Sequence, residues 1–442
     1  MKVAVVGTGH VGLTTAACLA HIGHDVLGID ENTEKVRAIE AGEVPFVEPG
    51  LADLVREGVG NGRLRMSPDP RDAGASEVVF VCVGTPTRAS GEADLSQIER
   101  VATTLASSLV GHTLITEKST VPVGTAEWIR QTIETHSPGS DAGFEVASNP
   151  EFLQEGRAVQ DTLEPTRIVV GAPSEHAAGI LRDVFRPIID GTGCPFIVTD
   201  VATAELVKHS SNAFLATKIS FINQVAEICE RTGADVETVA TAMGMDPRIG
   251  PGFLKAGIGY GGECLPKDVQ AFRYRAEQLG VEFSLLAAVD RINQERRSSF
   301  VERIRSTVGD LEGKRVAVWG LSFKPETDDL RQSPSLDVIR RLLSHGARVV
   351  SYDPAAMPEA QDLLPEAEYA DDPYGAATGA DVLAVCTEWS VFATADLARL
   401  REAMGRPVVV DGRNVFDPKE MAKAGFLYVS MGRPTASGWT PE

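Results

Sequence analysis

The first thirty residues constrain the fold of this chain more than any other segment. A β-branched run from Val3 to Val6 leads directly into Gly7-Thr8-Gly9-His10-Val11-Gly12. Glycines at this spacing, between a strand and a helix, let backbone N–H groups and a helix N-terminus meet a pyrophosphate. Asp30 ends the next β-branched run, where a carboxylate can accept hydrogen bonds from ribose hydroxyls and repel a 2′-phosphate. The pattern predicts a Rossmann-like unit that binds NAD rather than NADP through Gly7, Gly9, Gly12 and Asp30.

The sequence changes character twice along the chain. Residues 1–200 alternate β-branched runs with helical patterns, which is typical of a parallel sheet covered by helices. From Val201 to about Thr232 there is no proline or glycine, which predicts one long helix, and a second helical stretch is expected from Val269 to about Ser306. Strand-like runs return after Gly313. We therefore predict an α/β protein with two Rossmann-like doubly wound domains, 1–200 and 311–430, joined by a central helical domain, 201–310, and followed by a flexible tail, 431–442.

Composition limits the partners and the compartment. The chain has 62 Asp and Glu against 42 Lys and Arg, a net charge of −20, which argues against nucleic acid because its partners usually carry a basic patch. The six cysteines form no Cys-x-x-Cys pair and the eight histidines show no ligand spacing, so we expect no metal site and a reducing, cytoplasmic location. No apolar run is long enough to span a membrane, and the chain opens on a strand rather than a signal peptide.

A second glycine-rich run, Gly257-Ile258-Gly259-Tyr260-Gly261-Gly262-Glu263-Cys264-Leu265-Pro266-Lys267-Asp268, indicates covalent chemistry. A cation near a thiol favours the thiolate, so Cys264 beside Lys267 is a candidate nucleophile. A thiolate that adds to an aldehyde gives a thiohemiacetal, whose oxidation gives a thioester that water hydrolyses. Together with NAD, this cysteine points to the oxidation of a primary alcohol to an acid in two steps. Two alternatives stay open: Cys264 is a small buried residue, or Cys194, which has no cation beside it, is the reactive thiol.

Three further sets of residues could assist this chemistry. Lys208 and Asn212 lie four apart on the predicted long helix and could stabilise an oxyanion, although a helix-surface pair is equally consistent with the spacing. Glu151 and Glu155 are also four apart after Pro150, which can start a helix, and suit either acid–base work or a solvated face. Asp268 is close enough to Cys264 to position water.

The turn Gly320 to Lys324 follows the first strand of the second Rossmann-like domain but lacks the glycine pattern. It is expected to hold a different phosphate-bearing ligand, with Lys324 contributing charge.

Taken together, these motifs resemble the UDP-glucose/GDP-mannose 6-dehydrogenase family from Met1 to about Asp417. The resemblance rests on the first glycine turn and on Val83 to Pro86, Lys118 to Thr125, Asn149 to Gly156, Glu205 to Asn212, Phe253 to Asp268 and Gly320 to Pro334. It implies a two-step, NAD-dependent oxidation at C6 of a sugar nucleotide, UDP-glucose to UDP-glucuronate, in a homodimer or larger homo-oligomer whose central helices form the dimer.

The resemblance also implies a role for individual residues. Cys264 would be the nucleophile, Lys208 and Asn212 would hold the oxyanion, and Asp268, Thr120 and Glu151 would order or deprotonate water. Around NAD it places Val11, Asp30, Lys35, Thr85, Thr120, Glu155, Lys267 and Arg331. Around the sugar nucleotide it places Glu151, Lys208, Asn212, Phe253, Leu254, Lys255, Gly257, Gly261 and Lys324, with Arg248 reaching the neighbouring subunit and Arg413 as a further candidate.

One residue departs from the family pattern, and the substrate stays open. Glu263 stands beside the cysteine where a small residue is expected, and we expect its side chain to point away from the thiol. GDP-mannose and UDP-N-acetylhexosamines are alternative substrates, although Leu265-Pro266-Lys267-Asp268 fits the glucose and mannose branches better than the acetamido branch. A protein of another class, a sensor that binds NAD and a nucleotide sugar without turnover, would be expected to lack Cys264 or Lys208, and both are present.

Overall fold

The computed structural model describes residues 1–137 and 143–440. The chain divides into two compact units, which we call unit 1 (Met1–Ser211 with Gln270–Val281) and unit 2 (Asn212–Val269 with Glu282–Glu442). This division into two units does not follow the predicted limits of three domains, and those limits stay a prediction.

Unit 1 is built on an eight-stranded sheet. Its strands are β1 (Lys2–Val6), β2 (Asp25–Ile29), β3 (Leu64–Ser67), β4 (Val78–Val81), β5 (Thr113–Glu117), β6 (Phe144–Ser148), β7 (Ile168–Gly171) and β8 (Phe196–Thr199). Their order is β3-β2-β1-β4-β5-β6-β7-β8, and all neighbours are parallel except β6 and β7. In a parallel sheet of this kind, ligands bind beyond the carboxyl ends of the strands, which here carry the first glycine turn and Asp30.

Helices cover both faces of this sheet. They are α1 (His10–His21), α2 (Thr33–Glu40), α3 (Leu51–Gly60), α4 (Ser96–Ala106), α5 (Thr125–His136), α6 (Ala158–Leu163) and α7 (Glu175–Thr192), with a 3₁₀ turn at Pro70–Ala75. Side chains alternate between the faces of a strand, so Val3 and Val5 enter one apolar core while Ala4 and Val6 enter the other. The predicted doubly wound fold of this part of the chain is confirmed.

Unit 2 repeats this architecture with a seven-stranded sheet. Its strands are β9 (Arg315–Trp319), β10 (Arg348–Tyr352), β11 (Glu368–Tyr369), β12 (Val382–Val385), β13 (Val408–Asp411), β14 (Leu427–Ser430) and β15 (Ala436–Ser437). The order β11-β10-β9-β12-β13-β14-β15 is parallel except for the final pair. Val316 and Val318 again face one core while Ala317 and Trp319 face the other. The second Rossmann-like sheet predicted from the sequence is therefore present.

The remaining helices include the central helical section, two of whose helices are divided between the two units. They are α8 (Val201–Thr232), α9 (Val236–Gly244), α10 (Cys264–Gln278), α11 (Ser284–Val308), α12 (Pro334–Ser344), α13 (Met357–Leu363), α14 (Pro373–Ala377), α15 (Ser390–Ala393), α16 (Leu397–Ala403) and α17 (Pro418–Lys423). The long helix α8 has the limits that its composition predicted, and its first eleven residues belong to unit 1. The second helical stretch differs from its prediction: it is two helices, and Gly280, in the left-handed region at φ 76°, follows the end of α10.

The predicted flexible tail is corrected as far as the described residues reach. Met431 is fully buried, strand β15 pairs antiparallel with β14, and the Trp439 side chain packs against the apolar core of unit 2. An edge strand and one aromatic anchor outweigh the proline and serine content that indicated a loose segment; residues 441 and 442 lie outside the described residues. Among the described residues, no helix combines the length and apolarity needed to cross a bilayer.

Candidate active site

The first glycine turn of unit 1 leaves space and donors for a phosphate group. A Cβ on Gly12 would lie 1.7 Å from the carbonyl oxygen of Gly7, so α1 can approach the turn only with glycine there. At Gly9, by contrast, a Cβ would meet nothing within 4 Å. Helix α1 begins at the next residue with no side-chain cap and no acid in its first turn, so its N–H groups are available to an anion. These features fit the pyrophosphate of a dinucleotide.

Asp30 is oriented by the same turn. Its Oδ2 accepts hydrogen bonds from Thr8 N at 3.1 Å and Thr8 Oγ1 at 2.9 Å, and it pairs with Lys35 Nζ at 2.8 Å. Burial opposes ionisation of Asp30, but hydrogen bonds from Lys35, Asn32 and Thr8 outweigh burial and hold its pKa below the ordinary value. Asp30 is thus an ionised acceptor, as the NAD prediction requires. The structure also brings Lys35, a predicted NAD residue, into contact with it.

Two other predicted NAD residues meet beyond the ends of β4 and β5. Thr85 is buried, and its Oγ1 donates to the carbonyl oxygen of Thr120 at 2.9 Å. The Ser119 hydroxyl joins the same two loops by donating to the carbonyl of Val83 at 2.7 Å. Thr120 is therefore held at the carboxyl edge of the sheet, where ligands of this fold bind.

Glu151 and Glu155 do not share a helical face, which corrects the helix predicted after Pro150. Both lie in the loop between β6 and α6, because α6 begins only at Ala158. The loop is fixed by Glu48, whose carboxylate accepts hydrogen bonds from Gly156 N and Ala158 N, both at 2.8 Å. Glu155 is half-buried in this loop.

Lys208 and Glu151 form a buried ion pair in unit 1. Lys208 Nζ lies 2.7 Å from Glu151 Oε1, with side-chain exposures of 5% and 6%. The other oxygen of Glu151 accepts a hydrogen bond from Leu153 N at 2.8 Å, which orients the carboxylate. Because the pair is buried, each group takes the place of part of the solvation that the other has lost. The alternative of a helix-surface Lys is therefore wrong.

A second buried cation lies beside this pair and was missed from the sequence. Lys118 Nζ donates to Asn149 Oδ1 at 3.0 Å and lies 5.8 Å from the centre of the Phe80 ring. Burial is the main influence on Lys118 and lowers its pKa, against the attraction of the Cys82 and Glu151 side chains. Asn149 in turn donates to the carbonyl of Val169 at 2.8 Å, so it links β6 to β7. Lys118 and Asn149 each begin a segment on which the family resemblance rests, Lys118 to Thr125 and Asn149 to Gly156. Membership of these segments was the signal in the sequence that could have identified them.

In unit 2, Cys264 is the first residue of α10 and is solvent-exposed. The other five cysteines are buried, including Cys194, so the alternative of a buried Cys264 is wrong and Cys194 is the less accessible of the two candidate thiols. A thiol at a helix N-terminus is near the positive end of the helix dipole, which favours the thiolate. Burial raises the pKa of Cys82 and Cys386 to about 12, which makes those thiols unreactive by comparison.

Asp268 lies one helical turn after Cys264 and joins two predicted residues. Its Oδ2 accepts a hydrogen bond from Asn212 Nδ2 at 2.6 Å, and its Oδ1 lies 2.9 Å from Lys267 Nζ. Burial alone would lower the pKa of Lys267, but pairing with Asp268 outweighs it and the pKa is raised. Lys267 is thus a cation, balanced by a buried carboxylate.

The Glu263 side chain is paired with a cation that the family resemblance places around NAD. The guanidinium of Arg331 forms an ion pair with Glu263 and another with Asp329 at 2.8 Å. The extra acid beside the cysteine is therefore held by Arg331. The role of Arg331 toward NAD stays a prediction.

Three residues that the sequence did not single out hold the cysteine loop. Asn223 Oδ1 accepts from Gly257 N at 2.8 Å, and Asn293 exchanges two hydrogen bonds with the backbone of Tyr260. Arg296, almost fully buried, donates from Nε to the carbonyl of Gly257 at 3.3 Å and pairs with Glu227. These side chains come from α8 and α11, and no local pattern marks them.

The loop also packs tightly against other side chains of unit 2. Gly262 has φ 77°, and a Cβ there would lie 2.8 Å from the Phe323 ring. Arg413 Nη1 donates to the carbonyl of Gly259 at 3.0 Å and its Nε donates to that of Cys386 at 2.9 Å. Arg413 therefore ties the cysteine loop to the sheet of unit 2. Its predicted contact with the nucleotide stays a prediction.

The remaining predicted substrate residues lie on segments of unit 2 that differ in exposure. Phe253 is strained at φ 63°, Leu254 is buried and Lys255 is exposed. The Lys324 ammonium lies over the Phe323 ring at 5.7 Å from its centre. Arg248 is 87% exposed and paired with Asp246 of the same loop.

Comparison with known proteins matches three segments of the chain to one family. Residues 1–189 match the NAD binding domain of the UDP-glucose/GDP-mannose dehydrogenase family, residues 202–295 its central domain and residues 317–418 its UDP binding domain. The chain belongs to this family. It is an NAD-dependent dehydrogenase, as the resemblance implied.

Individual relatives extend over nearly all of the chain. UDP-glucose 6-dehydrogenase TuaD of Bacillus subtilis (strain 168) is 43% identical over 443 residues, covering 100% of this chain and 95% of that protein. A UDP-glucose dehydrogenase structure from Pyrobaculum islandicum shares 37% identity with a TM-score of 0.91 and 98% coverage of both chains. A UDP-D-ManNAc dehydrogenase structure from Pyrococcus horikoshii shares 27% identity, with a TM-score of 0.86 and coverage of 98% and 99%.

Proposed function

We propose that this chain oxidises UDP-glucose at C6 to UDP-glucuronate, consuming two NAD and one water for each sugar. The observation that carries the proposal is Cys264, the exposed thiol at the N-terminus of α10 in a chain of this dehydrogenase family. Identity is higher to the UDP-glucose enzymes, at 43% and 37%, than to the UDP-D-ManNAc enzyme at 27%, which favours glucose over acetamido sugars.

The proposed reaction has two oxidations. NAD, when bound at the first glycine turn and Asp30, would supply the hydride acceptor in each oxidation. The first oxidation removes a hydride from C6 and the hydroxyl proton, leaving an aldehyde. The thiolate of Cys264 then forms a C–S bond to C6, giving a thiohemiacetal, which has a hydrogen on C6 again. Loss of this hydrogen as hydride gives a thioester. Water attacks the thioester, the C–S bond breaks, and the acid and the thiol are released.

The polar residues are proposed to manage charge and protons during these steps. Lys208 and Asn212, one turn apart on α8, would hold the oxygen on C6 as negative charge develops there. Glu151, paired with Lys208, and Asp268, paired with Lys267, would accept protons from the hydroxyl or from water, with Thr120 ordering that water. The buried ion pairs support these assignments because each carboxylate is held beside a cation and away from bulk solvent.

We further propose that the active form is a homodimer formed through α8 and located in the cytoplasm. Phe214, Phe221 and Ile228 are 65%, 51% and 61% exposed and recur every seven residues, so they form one apolar stripe on α8. Such a stripe is costly in water and suits a second copy of the helix. Arg248 would reach the partner's substrate. The six cysteines include no Cys-x-x-Cys pair, which suits a reducing compartment.

The decisive experiment measures NADH at 340 nm with a panel of UDP-glucose, GDP-mannose and UDP-N-acetylhexosamines. We expect two NADH per UDP-glucose and little turnover of the other sugars. Cys264→Ala should abolish acid formation, while Cys194→Ala, a matched control on a buried thiol, should retain it. One NADH per sugar with release of aldehyde by the unmutated protein would overturn the thioester scheme, preference for another sugar would correct the substrate, and NAD binding without turnover would indicate a sensor.

A further inference from the structure

Three potential metal ligands meet at one place in unit 1 although they lie far apart in the sequence. His112 immediately precedes β5, Glu145 is in β6 and His176 is in the first turn of α7. One ligand atom from each lies within 4.8 Å of the others. Sequence spacing suggested no metal site, because neighbouring strands and a helix, rather than a short motif, assemble this set.

Two separations within this set fit a tetrahedral metal centre. With metal–nitrogen bonds of about 2.0–2.1 Å, two ligand atoms lie about 3.4 Å apart and the centres of two bound imidazoles about 5 Å apart. His112 Nε2 is 3.5 Å from Glu145 Oε2, and the rings of His112 and His176 are 5.2 Å apart between centres. The rings meet at 63°, edge to face, rather than stacking. Two imidazoles and one carboxylate form a common donor set for Zn²⁺ with a fourth position open to water.

The carboxylate of this set has a supporting hydrogen bond. Ser174 Oγ donates to Glu145 Oε1 at 2.5 Å, which leaves Oε2 directed at His112. The same Ser174 Oγ accepts from Ala177 N at 3.0 Å and so caps α7, the helix that carries His176. One hydroxyl therefore fixes both the carboxylate and the helix start, as outer-shell groups do in metal sites.

We propose that His112, Glu145 and His176 form a binding site for a divalent transition cation, for which Zn²⁺ is the fitting ion. The ligands stand at the amino ends of β5 and β6, whereas Asp30 and Thr120 stand beyond the carboxyl ends of strands in the same sheet. The ion would bridge a loop, a strand and a helix of unit 1 without contacting the reacting groups. Its expected role is to stabilise this edge of unit 1.

The test uses full-length protein freed of metal by dialysis against a chelator. Because the exposed Cys264 thiol is itself a zinc ligand, titrations with Zn²⁺ are run on the unmutated chain and on the Cys264→Ser variant. The Cys264→Ser protein should still bind one Zn²⁺ per chain and should gain thermal stability on binding. Co²⁺ should give a tetrahedral visible spectrum without a thiolate charge-transfer band.

Single variants in the Cys264→Ser background identify the ligands. His112→Ala and His176→Ala should each weaken Zn²⁺ binding at least about a hundredfold and abolish the thermal shift. His21→Ala is the matched control, because His21 is an exposed histidine paired with one carboxylate, Glu57, at 3.0 Å. The proposal is overturned if Cys264→Ser binds no Zn²⁺, or if His112→Ala and His176→Ala bind it as tightly as His21→Ala.

Discussion

Asp30 in unit 1 and Asp353 in unit 2 occupy equivalent positions, each directly after the second strand of its Rossmann-like sheet. Asp30 remains 13% exposed and accepts from Thr8, Lys35 and Asn32. Asp353 is 1% exposed. Its Oδ2 accepts hydrogen bonds from Leu321 N, Ser322 N, Ser322 Oγ and Trp389 Nε1, and its Oδ1 accepts from Ala355 N and Ala356 N.

The turns that follow β1 in unit 1 and β9 in unit 2 also differ in how close the next helix begins. In unit 1, α1 starts inside the glycine turn and presents its N-terminus there. In unit 2, the next helix, α12, starts only at Pro334, well after Gly320. The second sheet therefore keeps the aspartate but uses its carboxylate to fix the turn, and its next helix begins only after a longer loop. A fold position shared by two sheets does not imply a shared ligand, because the donors already bound to the acid decide what it can still bind.

The largest expected effect tests whether the two aspartates have these different roles. Asp353→Asn should lower the free energy of unfolding by about 3 kcal/mol, since several buried N–H donors lose a charged acceptor. Asp30→Asn should lower it by only about 1 kcal/mol, because fewer and more exposed contacts are affected. Urea unfolding of both variants measures this difference. Equal losses of unfolding free energy in Asp353→Asn and Asp30→Asn would show that the two aspartates do not differ in their structural role.

The next effect concerns the cofactor turn. Gly9→Ala should weaken NAD binding about tenfold, because the methyl group occupies space that the protein leaves open for the pyrophosphate. Stability should change by less than about 0.5 kcal/mol, since the methyl group meets no protein atom. Gly179→Ala in α7, where a Cβ also meets nothing, is the control and should leave NAD affinity unchanged. Calorimetric titration with NAD distinguishes the two, and unchanged affinity of Gly9→Ala would place the pyrophosphate elsewhere.

The smallest expected effect concerns Glu117 and Asp411, the acids that end β5 and β13. These two strands occupy equivalent positions in the two sheets. Burial, followed by the charge of Glu205, raises the pKa of Glu117 well above its ordinary value, and Glu117 Oε2 has no hydrogen-bond partner within the part of the chain described. The folded state therefore binds this proton more tightly than the unfolded state, so its contribution to stability is lost as pH rises above about 4.3.

Glu117→Gln should remove this dependence and raise the free energy of unfolding at pH 8 by about 1 kcal/mol. Asp411, the counterpart in β13, accepts hydrogen bonds from Val415 N at 2.7 Å and Tyr428 OH at 2.8 Å, so Asp411→Asn should be destabilising instead. Unfolding curves at pH 5 and pH 8 measure both, with the exposed Glu40→Gln as control. A loss of stability in Glu117→Gln would show that the carboxyl is needed in its charged form.

Much of the fold could be predicted because its signals are local. The glycine turn with Asp30, the uninterrupted helix α8 and the β-branched runs of both sheets depend on residues close in sequence, and the structure confirms them. Local signals failed where tertiary contacts override them. The loop after Pro150 is held by Glu48 from another segment, and the carboxyl-terminal residues pair with β14.

Motifs along the chain were enough to indicate the family, the cofactor turn and the reactive cysteine. The folded chain was needed to show which polar groups meet: Lys208 with Glu151, Asp268 with Asn212 and Lys267, and His112 with Glu145 and His176. The two kinds of feature depend on interactions of different range along the chain. Backbone conformation and helical or strand period are set by neighbours along the chain, whereas ionisation and ligand geometry depend on groups that only the folded chain brings within a few ångströms.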